Sequence, residues 1–200
     1  MVFSSALRFI VLWLVMGLVI GCAAKEDPNA PLVPLGDFRL GHTVIVTKNT
    51  KMVPPSRRAD LAAWKAMMVS DIDKRLGEYD GEKLYHIGVH VDSYVLAIPG
   101  VPLVAVPKSV LVVSLSVFDN ATRKRITEKP HQINVFERSK KNTFLVGSGI
   151  VNSKSEQMEN LSRNMARLIA KYLQENKQWF GVVEDTDADP DVPDDAKTGN

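Results

Sequence analysis

Apolar and polar positions divide this 200-residue chain into segments of different period. The first segment is continuous: "FIVLWLVMGLVI", from Phe9 to Ile20, contains no polar side chain. Further on, "HTVIVTKNT" alternates and is rich in β-branched residues, which predicts a strand over His42 to Thr50. "MVPPS" interrupts it, with Ser56 placed to cap a helix. Leu61, Trp64, Met68, Ile72, Leu76 and Tyr79 then recur at spacings of three and four, with Arg57, Arg58, Lys65 and Lys74 between them. That spacing predicts an amphipathic helix ending near Gly77. In "YHIGVHVDSYVLAI" the period falls to two, with Tyr85, Ile87, Val89 and Val91 on one face and His86, His90 and Asp92 on the other. This is the pattern of a strand with one wet side.

"SVLVVSLSVFD" predicts a more buried strand, "DNATRKR" a reversal, and "QINVFER" and "TFLVGSGIV" two short strands. The last helix opens on a capping box, Ser153 with Glu156, and carries Met158, Leu161, Met165, Leu168 and Tyr172 as an apolar stripe that Gly181 stops. The expected fold is α+β, in the order β-α-β-β-β(-β)-α. It is a single domain in which two amphipathic helices cover one face of a mainly antiparallel sheet of four to five strands, so that every stripe is buried.

The opening run follows "MVFSSALR", whose only charge is Arg8. A basic start followed by a short apolar segment is the pattern of a secretory signal. A permanent transmembrane helix needs about 20 apolar residues. The run ends at "VIGC", Val19 to Cys22, which holds the only cysteine of the chain. "VIGC" resembles the lipobox of bacterial lipoproteins. The resemblance implies cleavage between Gly21 and Cys22, a diacylglycerol on the Cys22 thiol and acylation of the new amino terminus. Ala23 follows, where that family's inner-membrane members tend to carry aspartate, so the resemblance implies an outer-membrane anchor facing the periplasm. A lone cysteine also excludes a disulfide scaffold. The expected organisation is a signal peptide over 1–21, a lipidated tether over 22–36, the domain over 37–181, and an acidic tail over 182–200. Three prolines mark the tether.

Charge separates the tail from the body. "VVEDTDADPDVPDDAKTGN" has seven acidic residues and one lysine, and so few apolar side chains that it is expected to stay unfolded. The body is correspondingly basic, with Arg123, Lys124 and Arg125 together, then Lys129, Arg138, Lys140 and Lys141. These are either solvated loop charges or a face for headgroup phosphates or an acidic partner. Nucleic acid is not an expected partner in the periplasm.

The residues offer little to catalysis. His86 and His90 lie four positions apart on a strand, roughly 13 Å at 3.3 Å per residue, which is too far for one zinc ion to bridge. "VGSGIV" around Ser148 is neither a nucleophile elbow nor a phosphate loop. No metal, cofactor or catalytic residue is expected. The most unusual stretch is "AIPGVPLVAVP", Ala97 to Pro107, which has three prolines and no charge. It is either a wide hairpin connection or a loop presenting Val101, Leu103 and Val104 to a partner.

The element order, the "VHVDSY" strand, "VLVVSLSVFDNATRKRI" and the lipobox together resemble small alphaproteobacterial envelope lipoproteins of unknown function. These are similar in plan to the auxiliary lipoproteins of outer-membrane assembly and lipid transport. The resemblance spans about Asp37 to Gly181 and brings no catalytic residues with it. It implies a non-enzymatic accessory or adaptor, held to membrane lipid through acylated Cys22 and working with an envelope protein. The alternative is a periplasmic carrier of lipid or another apolar ligand.

Overall fold

The structure is a computed structural model that describes residues 33–98, 109–138 and 153–182. Among these residues six strands and two helices follow one another: β1 (Arg39–Val46), β2 (Lys51–Met52), α1 (Leu61–Leu76), β3 (Leu84–Val95), β4 (Val110–Asp119), β5 (Lys124–Arg125), β6 (His131–Phe136) and α2 (Lys154–Glu175). A 3-10 turn, Lys177–Phe180, ends on Gly181 in the left-handed region (φ 83°). The expected strand "TFLVGSGIV" lies outside the described residues.

The long antiparallel pair of β3 and β4 forms the centre of the sheet. β1 and β2 lie one after the other along the free edge of β3, both parallel to it. β5 and β6 lie along the free edge of β4, both antiparallel. The sheet is therefore mixed and six-stranded, which corrects the expectation of a mainly antiparallel sheet of four to five strands. The cause is the connection from β1 to β3. A helix carries the chain back to the starting end of the sheet, as a parallel crossover requires. Two-residue strands such as β2 and β5 are too short to show a period.

Burial alternates along every long strand. Ile87, Val89 and Val91 of β3, Leu111, Val113, Leu115 and Val117 of β4, and Ile133 and Val135 of β6 face one core. Trp64, Met68, Ile72 and Leu76 of α1 fill it from above, with Leu161, Met165, Ile169 and Leu173 of α2 beside them. The buried stripe of α2 passes through Ile169 and Leu173, leaving Leu168 and Tyr172 at its half-buried margin. The helices meet where the Trp64 indole donates to the Met158 carbonyl and to Ser162 Oγ, each at 3.0 Å. At one end of the core Phe38 stacks on Tyr85, and Phe180 meets both edge-on. The Asp37 amide donates to the Phe180 carbonyl, so the first and last described segments are joined. Leu35, in the stretch expected to be tether, is also buried.

Two helix ends differ from expectation. The N-cap of α1 is Asp60, whose carboxylate accepts from the Ala62 and Ala63 amides. Ser56 instead accepts from the Leu96 amide, because the segment after Pro55 runs beside the end of β3 before the helix begins. α2 stops at Asn176, and Gly181 ends the 3-10 turn after it. The capping box of α2 forms as expected: Ser153 Oγ accepts from the Glu156 amide, and the Glu156 carboxylate accepts from the Ser153 amide. Ser153→Ala removes one acceptor from the exposed helix end. It is expected to cost about 1 kcal/mol in a urea titration; no loss would mean that the cap does not hold the helix. Among the described residues no helix is long and apolar enough to cross a membrane.

Candidate functional site

Because both helices pack on one side, the outward positions of the strands form an open face among the described residues. On β3 these are His86, Gly88, His90 and Asp92, and on β4 they are Val110, Val112, Ser114, Ser116 and Phe118. Val44 and Val46 of β1 flank Gly88 and His90. On the other side, Phe136 of β6 pairs with Val110, and Asn134 with Val112. Large apolar side chains on this face remain exposed: Val44 at 54%, Val46 at 42%, Phe118 at 37% and Phe136 at 55%. Phe118 and Phe136 stand at its two ends, and Val44 and Val46 along its β1 edge. Val44 flanks Gly88, and a Cβ on Gly88 would lie 3.3 Å from the Phe118 ring, so the glycine leaves room for the aromatic. At the other end Phe136 lies beside Val110 and Val112.

Polar groups occupy the middle. Ser114 Oγ donates to Asp92 Oδ2 at 2.7 Å, and Asp92 Oδ1 lies 2.7 Å from His90 Nδ1. The other ring nitrogen of His90 lies 2.9 Å from the Lys48 carbonyl oxygen in the turn between β1 and β2. Both neighbours of the ring are acceptors, so the imidazolium satisfies both nitrogens. The hydrogen bond that the ring donates to Asp92, helped by the one to the Lys48 carbonyl, raises the pKa of His90 above its ordinary value.

A serine, an aspartate and a histidine in contact invite a hydrolase reading, but here they are connected in the wrong order. A nucleophile needs the imidazole between serine and carboxylate. Here the carboxylate is in the middle, and the Ser114 hydroxyl donates its hydrogen bond to Asp92. His86 belongs to a separate group. Its Nδ1 accepts from the His42 amide at 3.0 Å, its Nε2 donates to Asn120 Oδ1 at 3.0 Å, and the His42 ring stacks on it. Among the described residues no three His, Cys, Asp or Glu side chains cluster as metal ligands.

Arg123, Lys124 and Arg125 of the basic turn are all exposed. Lys124 and Arg125 form β5 opposite Asp119 and Phe118, and Arg123 occupies the left-handed region (φ 56°) at the turn. The Arg125 guanidinium folds back onto the Thr127 and Glu128 carbonyls. Gly21, Cys22, Val101, Leu103 and Val104 lie outside the described residues.

Val44, Phe118, Phe136 and Ser114 are the residues that motif reading misses. Their signal was strand phase. Each stands on the opposite parity from the buried run of its own strand, where a large apolar side chain has no core to enter.

No protein-family model matches this chain, and no curated protein matches it either. Several solved structures align with it at low identity. A candidate lipoprotein from Caulobacter crescentus aligns at 16% identity over 68% of this chain and 90% of its own, with a TM-score of 0.35. A Xanthomonas campestris protein of the group DUF330 aligns at 9% identity over 78% and 94%, with a TM-score of 0.43. A minor lipoprotein from Acinetobacter baumannii aligns at 12% identity over 68% and 94%, with a TM-score of 0.32. Likenesses at this level assign neither a family nor an activity to the chain.

Proposed function

We propose that this protein is a lipid-anchored lipoprotein of the bacterial envelope. In this reading, membrane lipid holds it through acylated Cys22, on the outer membrane and facing the periplasm, and its open sheet face engages an envelope protein. It acts as a non-enzymatic adaptor in envelope assembly or transport, of the kind that the resemblance to small alphaproteobacterial lipoproteins implies. One observation carries the binding role. Among the described residues the sheet has helices on one side only, and its other side leaves Val44, Val46, Phe118 and Phe136 exposed around a polar centre. Apolar side chains exposed around hydrogen-bonding groups are the make-up of a protein contact site, where apolar anchors stand beside polar contacts.

A carrier holding its ligand between helices and sheet is less well supported. That interior is occupied by Trp64, Met68, Ile72, Leu111, Leu115 and Leu161, all of them fully buried.

The test is site-specific photocross-linking in intact cells. A photoreactive residue at Phe118 or Phe136 is expected to give a discrete protein adduct, and one at exposed Glu159 on α2 none. Adducts from all three positions alike, or from Glu159 alone, would contradict the assignment of the open face. A lipid adduct from Phe118 and Phe136 would favour the carrier. Phe136→Ser, at the more exposed of the two aromatics, should leave stability within about 0.5 kcal/mol of the wild type while reducing the adduct from Phe118.

A further inference from the structure

We propose that His90 is a pH-operated clasp: as an imidazolium it holds the Thr47–Thr50 turn against the open face of the sheet, and on losing a proton it lets the Lys48 carbonyl go. The geometry sets the direction of release. The ring stands between two acceptors, the Asp92 carboxylate at 2.7 Å and the Lys48 carbonyl at 2.9 Å. A neutral imidazole has only one N–H. Asp92 carries a charge and is the stronger acceptor, so the remaining proton stays on Nδ1. Nε2 then turns a lone pair towards the Lys48 oxygen, and a contact between two acceptors at that distance is repulsive. The turn has to move away or admit a water molecule.

The surroundings suit such a device. From β3 the ring is faced by Asp92, from β4 by Ser114, and from β1 by Val46, with α1 and α2 on the far side of the sheet. Lys48 in the turn and Lys51 on β2 are both exposed. Only Asp92 acts on the ring as a charge. Ser114 fixes the second oxygen of Asp92, so the carboxylate keeps its place whichever form His90 takes. The turn can move because it is held at few points. Asn49 takes the left-handed conformation (φ 66°), which asparagine tolerates, and Thr50 Oγ1 donates to the Val91 carbonyl. Thr50 therefore acts as the hinge post and His90 as the catch. Release changes the face beside Val46.

The sign follows from the shift. A histidine whose pKa is raised by folding contributes stability in full below its unfolded value. The contribution is lost as pH rises through the folded value, which lies above that of the free side chain.

The experiment is an NMR pH titration of the full chain in detergent micelles, following the His90 ring and the amides of Thr47, Lys48 and Asn49. The ring is expected to titrate above the ordinary histidine range, and the three amides should shift, and exchange faster with solvent, at the same midpoint. Asp92→Asn keeps an oxygen beside the ring but removes its charge, so both midpoints should move down together. The inference is overturned if the ring titrates above that range while the turn amides stay fixed, or if the ring titrates at or below it. Should Asp92→Asn fail to fold, the wild-type titration decides by the same two outcomes.

Discussion

Replacing Trp64 with alanine is expected to destabilise the domain by about 3–5 kcal/mol. Trp64 is fully buried and packs edge-on against Tyr94 of β3. Its indole N–H also ties α1 to α2 by donating to the Met158 carbonyl and to Ser162. Truncation removes an aromatic side chain from the junction of three elements, and the flanking helices cannot close the gap without breaking their own contacts with the sheet. A domain of this size has only about 5–15 kcal/mol in total, so the variant should unfold at a much lower urea concentration. Trp64→Phe should lose less. Most of the buried area survives, and the Met158 carbonyl still accepts from Ser162 Oγ at 2.9 Å. If Trp64→Ala changed the midpoint by less than the equivalent of about 1 kcal/mol, the helix–helix junction described here would not be part of the core.

Much of this core could be read along the chain. The spacing of Trp64, Met68, Ile72 and Leu76 placed α1, and the parity of Ile87, Val89 and Val91 placed the buried face of β3. Ser153 and Glu156 placed the start of α2, because a capping box is local and its partners lie three residues apart. Strand direction is not local in this way. β1 runs parallel to β3 because α1 lies between them, so the clue was the element order and not any residue in either strand. The cap of α1 went to Ser56 in the sequence because the chain between Pro55 and Asp60 looks like helix approach, whereas it pairs with the end of β3.

The candidate face was half legible. His90 and Asp92 were placed together on the wet side of β3, but Ser114 comes from β4 and Lys48 from a turn. No spacing in the sequence brings them together. Phe118 and Phe136 belong to no motif, and their strands were read without assigning a face to either ring. Only their parity places them on the open side.

The largest effect of all is expected at Cys22. Stable membrane attachment needs more than one acyl chain, at about 0.8 kcal/mol per buried CH₂. In the proposed anchor every chain hangs on the thiol and amino group of this one residue. Serine cannot form the thioether, and in the proposed pathway a signal peptide is then not cut after Gly21. Cys22→Ser should therefore abolish acylation completely and leave either an unprocessed precursor or a protein lost from the outer-membrane fraction. The folded domain begins at or before Leu35, well beyond the change, so its thermal unfolding should be unaltered.

The reading of this protein as an envelope lipoprotein is tested most directly by metabolic labelling of cells with a fatty-acid analogue, comparing the wild-type protein with Cys22→Ser. The account predicts strong label on the wild type, at a mass that places the acyl chains on a chain beginning at Cys22, and none on the variant. Equal label on both proteins, or none on either, would contradict it.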